Sequence, residues 1–225
     1  MGYVSDPREI LRRSFETVAR ETDLEAIPCD IHDVALRLVH ATAMPELVRD
    51  LAFSPGAGAI GVKALAAGAP VLADCHMVAH GITGDLLANG NQVICTLDHG
   101  GVADQALRRG LTRSAVAVEQ WKPWIKGAVV AIGNAPTALF RLLELIDDGC
   151  GRPAVILGFP VGFIGATEAK ERLVTHSAGV PFISLSGRFG GSALAAAAVN
   201  ALATSAKDAA TGATTPGVLP AEAQP

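Results

Sequence analysis

The chain has 225 residues, half of them apolar and 18% charged, with a formal net charge of −4. That length and apolar content suffice for one α/β domain with a substantial core, and residues 5–205 show no break in composition. The negative balance excludes a general nucleic-acid binder, which carries a basic excess over its whole domain.

In chain order, "SDPREILRRSFETVARE" opens a helix, with Ser5 or Asp6 as cap, Pro7 at the first helical position and Ile10, Leu11, Phe15 and Val18 on one side. A second helix runs from about Asp30, its apolar stripe formed by Ile31, Val34, Ala35, Leu38 and Val39. Pro45 begins a further helical turn, and "AGAIGVKALAAG" predicts a third helix that ends on Gly68.

The pattern then changes to short β-rich runs at residues 70–74, 92–97, 128–133, 154–159 and 181–185, apolar at consecutive positions as in strands buried on both faces. Helical stretches lie between them, "APTALFRLLELIDDG" and "ATEAKERLVTHSAG", each closed by a glycine. Alternation of strand and helix predicts a single α/β domain, residues 1–205, with a mostly parallel, doubly wound sheet of about five strands behind a helical N-terminal region. From Ala206 the sequence fills with Ala, Thr, Gly and Pro, and residues 206–225 are expected to form a disordered tail.

The apolar runs at 128–132 and 154–159 are far too short to span a bilayer, so the expectation is a soluble, cytoplasmic protein without a membrane partner. Cys29, Cys75, Cys95 and Cys150 lie far apart with no C-x-x-C spacing. They read as small buried hydrophobes rather than as disulfides or zinc ligands.

Ligands of doubly wound folds sit beyond the carboxyl ends of the strands. There this sequence places three small-residue turns, "IGNAPTA", "GFPVGFIGATEA" and "SGRFGGSA", whose glycines let a backbone approach a ligand and whose following helices offer free N–H groups to anions. None of these three turns matches G-x-G-x-x-G after the first strand or G-x-x-x-x-G-K-[ST], so a nucleotide-binding reading has no motif beneath it there. No G-x-S-x-G elbow supports a hydrolase.

On the second helix, Asp33, Arg37 and His40 share one face, displaced from the apolar stripe. A guanidinium beside the imidazole lowers its pKa, and an anionic ligand on Arg37 would offset that and let His40 hold a proton. His76 and His80, four apart with Asp74 nearby, could face a metal, but they lack a third ligand and the H-E-x-x-H pattern and read as incidental. Arg12, Arg13, Ser14, Arg113 and Arg188 are candidate anion contacts, each alone no more than an ordinary solvated side chain.

Together the blocks "RSFETV", "RLVHA", "FSPGA", "AGAPVLADCHMVAHGIT", "GNQVICTL", "TRSA", "GAVVAIGNAPTALFRLLE", "LGFPVGFIGATEAKERL" and "GVPFISLSGRFGGSALAAAAVNALA" closely resemble the precorrin-8X methylmutases. The resemblance covers residues 5–203. It implies an isomerase that moves a methyl group from C-11 to C-12 of precorrin-8X, a tetrapyrrole, to give hydrogenobyrinate in cobalamin biosynthesis, without cofactor or metal. By the same resemblance His40 is the proton donor and acceptor, Arg37, Ser14 and Arg113 contact the substrate, and the enzyme is a homodimer with shared active sites. The chain departs from the family pattern in "HATAMPE" after His40 and in placing a histidine at His76. Two other readings remain, the same reaction on cobalt-precorrin-8 and a corrinoid carrier that does no chemistry.

Overall fold

The computed structural model describes residues 3–212. The first helix, α1 (Pro7–Glu21), is capped by Asp6, whose carboxylate accepts from the N–H groups of Arg8 and Glu9, and it buries Phe15. It packs on α2 (Cys29–Thr42), which buries Ile31, Val34 and Leu38 and stops where Ala43 adopts φ 55° and returns its N–H to the Val39 carbonyl. A 3-10 helix over Pro45–Asp50, rather than an α-turn, leads into β1 (Leu51–Phe53).

The remaining elements are α3 (Ala57–Ala66), β2 (Val71–Ala73), α4 (His76–Gly81), a 3-10 turn (Gly84–Leu86), β3 (Val93–Ile94), α5 (Val102–Arg109), α6 (Arg113–Glu119), β4 (Val129–Ile132), α7 (Pro136–Asp147), β5 (Val155–Gly158), α8 (Ala166–Thr175), β6 (Phe182–Leu185) and α9 (Ser192–Thr211). The six described strands form one sheet in the order β1-β6-β5-β4-β2-β3. All neighbours run parallel except β1, which pairs antiparallel with β6 through Leu51 opposite Leu185 and Phe53 opposite Ile183.

The two faces of the sheet explain the unbroken apolar runs. Val129, Ala131, Val155 and Leu157 point into one core with α2, α3, α4 and α9, while Val130, Ile132 and Ile156 point into another beneath α7 and α8. Every residue of β4, β5 and β6 is buried because each strand meets helices on both sides.

Three expectations change. The sheet has six described strands rather than about five, because the sixth, β1, spans three residues and takes its strand character from pairing with β6. Helices α5 and α6, in a stretch to which the sequence reading assigns no element, fill the crossover between β3 and β4. The last helix continues to Thr211, with Ala206 and Asp208 buried, so the boundary expected at Ala206 falls inside an ordered helix. The tail beyond, residues 213–225, lies outside the described residues. Cys75 is buried and Cys95 and Cys150 partly so, whereas Cys29, at the start of α2, is exposed.

Candidate active site

The face of α2 read from the sequence does exist, and the fold completes it from two other helices. Phe15 of α1 lies against His40 with ring centroids 4.6 Å apart and planes 11° from parallel. The Arg37 guanidinium stands 5.3 Å from the same ring's centroid, so one buried aromatic carries both groups. Ser14 Oγ lies 3.0 Å from His40 Nδ1. From α9, Thr204 Oγ1 accepts from Arg37 Nη2 at 3.2 Å, while Arg37 Nε is buried with no hydrogen-bond partner among the described residues. Asp33 accepts from Ser205 Oγ at 2.8 Å and holds the other end of the face.

This geometry sets the histidine's chemistry. Its pKa lies below the ordinary imidazole value, first because burial against Phe15 and its neighbours strips solvent, and second because Arg37 repels a proton. Burial is thus the larger cause, ahead of the guanidinium that the sequence reading emphasised. The residue is nevertheless exposed, and no hydrogen bond among the described residues engages Nε2. A serine hydroxyl can donate to Nδ1 or accept from it, so Ser14 supports either tautomer and lets Nε2 gain or lose a proton without the ring turning. Beside these residues an open cleft of about 440 Å³ runs between α1 and the end of α2, with Ser14 and Arg13 on its wall.

Arg113 is placed elsewhere. It is the first residue of α6, behind the Thr112 cap, and its guanidinium pairs with Asp98, whose other oxygen accepts from His76 Nε2 at 2.7 Å. No hydrogen bond or ion pair among the described residues joins Arg113 to Ser14, Arg37 or His40. His76 and His80 stack at 5.9 Å between centroids, and no cluster of three metal-ligating side chains forms among the described residues.

Asp74, which the sequence shows only as near the two histidines, has another role. It is buried at the carboxyl end of β2 and accepts from the N–H groups of Gly133, Asn134 and Ala135 at 2.9, 3.0 and 2.9 Å. Burial pushes its carboxyl pKa up, opposed by those three amides. It thereby fixes the "GNAP" turn ahead of α7. The only sequence signal for this is an acid at the end of an apolar strand, which does not distinguish a buried acceptor from a ligand.

The other two turns are bound to each other. The Gly191 N–H donates to the Phe159 carbonyl at 2.8 Å and the Gly162 N–H to the Arg188 carbonyl at 3.3 Å. A Cβ on Gly190 would sit 2.4 Å from the Phe159 oxygen, so that glycine serves the close approach of two loops. Helices α7, α8 and α9 all begin at this end without a side-chain cap.

A three-layer α/β domain with a histidine, a serine and an arginine grouped beside an open cleft has the form of a small-molecule enzyme, and the comparisons supply the family. The profile of the precorrin-8X methylmutase family (CbiC) matches residues 9–205. A precorrin-8X methylmutase of Pseudomonas aeruginosa is 55% identical over 204 residues, 91% of this chain and 98% of that protein. One from a Sinorhizobium species is 49% identical, covering 89% and 96% of the two chains. The cobalt-precorrin-8 methylmutase of Priestia megaterium is 35% identical, with 87% of each covered. Among solved structures, a precorrin-8X methylmutase from Thermus thermophilus superposes with a TM-score of 0.83 at 40% identity, over 90% of this chain and 97% of that one. The chain belongs to the precorrin-8X methylmutase family. It is an isomerase of cobalamin biosynthesis that acts by methyl migration.

Proposed function

We propose that the enzyme moves the methyl group of precorrin-8X from C-11 to C-12, giving hydrogenobyrinate, with His40 as the proton donor and acceptor. The observation that carries this is the arrangement at His40: Nδ1 lies 3.0 Å from Ser14 Oγ, and no hydrogen bond among the described residues engages Nε2. In the shift the methyl–C-11 bond breaks as the methyl–C-12 bond forms, and the ring's π electrons redistribute. Protonation of ring C by His40 draws electron density toward that ring, and the proton returns to His40 in the product. No electron leaves the substrate, so the reaction as written calls for no cofactor.

A substrate rich in carboxylates also answers the arginine. Unliganded, burial and then Arg37 hold the His40 pKa below its ordinary value, which favours the neutral ring. A substrate acid group close to Arg37 offsets that charge and raises the histidine's proton affinity when the ring arrives. Ser14 orients the imidazole, and Arg113 binds a second acid group. Since Arg113 belongs to a different part of the fold, we assign it to the partner subunit's site in a homodimer with shared active sites. The metal-free ring is preferred because the relatives at 55% and 49% identity bear the metal-free name and the one at 35% the cobalt name. Among the described residues no helix is long and apolar enough to cross a membrane, and we place the enzyme in the cytoplasm, where it meets precorrin-8X.

The test is direct. Purified protein incubated with precorrin-8X should convert its ultraviolet-visible spectrum to that of hydrogenobyrinate. Folded protein that leaves the spectrum unchanged sinks the isomerase reading, and tight product binding without turnover would identify a carrier. Equal turnover of cobalt-precorrin-8 would overturn the preference for the metal-free ring.

A further inference from the structure

Beyond the His40 cleft, the molecule holds large apolar side chains in solvent at one place in particular. Phe163 is 86% exposed and Ile164 91% exposed, both in the loop between β5 and α8. Phe189, in the neighbouring loop between β6 and α9, is 43% exposed. These loops leave the carboxyl ends of two adjacent parallel strands, the end at which doubly wound sheets receive ligands.

Apolar tips on a slack loop would fold back onto the protein. These are prevented from doing so. Besides the two backbone hydrogen bonds between the loops, Lys170 rises from α8, only 2% exposed, and donates from Nζ to the Phe189 carbonyl at 2.6 Å. Arg188 lies over the Phe163 ring at 5.5 Å and forms no ion pair with any acid among the described residues. The result is a rigid apolar surface with one uncommitted positive charge at its margin.

We propose that this loop pair is a further substrate-binding surface, in which Phe163 packs against the flat face of the tetrapyrrole and Arg188 binds one of its peripheral carboxylates. The inference rests on the methylmutase reading above and deepens it by naming the residues that select a broad ring with acid arms. Charge complementarity chooses this occupant over a purely apolar one. A flat conjugated face matches an aromatic ring, and a carboxylate at its rim matches the planar guanidinium beside it. Lys170 is a positioning residue: it touches no substrate and holds the loop that carries Arg188.

The experiment is a titration of the full chain with hydrogenobyrinate, followed by absorbance, together with steady-state turnover of precorrin-8X. Phe163→Ala and Arg188→Gln should each weaken product binding and raise KM by about tenfold while kcat changes little, the pattern of lost uniform binding. Mass in solution and circular dichroism should match the unaltered chain. Affinity within about twofold of the unaltered chain in both variants would overturn the proposal. So would weakened binding that appears only with dissociation into monomers, which would give the patch to a second copy of the chain. If the unaltered protein neither binds hydrogenobyrinate nor converts precorrin-8X, the methylmutase reading itself falls and this surface with it.

Discussion

At the α1–α2 corner, His40 is exposed and its neighbours are few: a serine and an aromatic ring from α1 and an arginine from its own helix. At the carboxyl ends of the strands the opposite holds, and the turns are fixed by Asp74, by Lys170 and by backbone hydrogen bonds between loops. Thr204, to which Arg37 is tied, lies 12 residues beyond Ser192 along α9, about 18 Å at the helical rise. One region leaves a titratable ring exposed, the other ties its turns in place by hydrogen bonds. Proton transfer needs a group with two accessible states, whereas recognition of a rigid ring needs surfaces already in place, since ordering a loop on binding costs affinity.

The sharpest way to break this division is at His40. His40→Ala should lower kcat for precorrin-8X by about 10²–10⁴, the usual contribution of a general acid or base, with secondary structure intact by circular dichroism. Arg113→Gln should also impair turnover. If the site is shared between subunits, mixing these two inactive variants and allowing exchange should restore about a quarter of normal activity, because half the dimers are mixed and each has one whole site. No recovery despite demonstrated exchange would place both residues in the same chain's site.

Next in size is a stability effect confined to the rigid region. Asp74→Ala removes the acceptor of three backbone amides and should cost about 3–5 kcal/mol, lowering the melting midpoint by about 10 °C or more. The His40 titration, followed by NMR on the folded variant, should be unaltered. A change there would mean that the two regions are coupled.

Smaller still is the electrostatic effect at the corner. Arg37→Gln should raise the His40 pKa by removing the nearby positive charge, leaving the burial contribution in place. Because the folded-state pKa lies below the unfolded value of about 6.5, His40 lowers stability as pH falls below that value, where the unfolded chain binds the proton first. In Arg37→Gln this acid-side loss should shrink. A downward shift of the His40 pKa would contradict the assigned role of the guanidinium.

Much of the architecture was legible along the chain because its causes are local or periodic. The caps, the stripe on α2 and the apolar runs of β4, β5 and β6 follow from neighbouring residues, and so does the shared face of Asp33, Arg37 and His40, which helical spacing alone creates. The family blocks assigned His40, Ser14, Arg37 and Arg113 their expected roles, but no spacing could say that Ser14, 26 residues away, reaches His40 while Arg113 pairs with Asp98. The three residues of β1 carried too little pattern to be recognised until β6 paired with them.

What the sequence by itself determined, then, is the class of fold, the family and the face of α2 that groups Asp33, Arg37 and His40, since each is encoded in residue order and short-range geometry. Tertiary structure alone decided which atoms surround His40, that Asp74 is a buried acceptor rather than a ligand, and that Phe163 is held out in solvent beside an uncommitted Arg188. The reason is physical: burial and long-range hydrogen bonds depend on how elements pack, and the same aspartate or phenylalanine serves as ligand, anchor or surface according to what the fold brings against it.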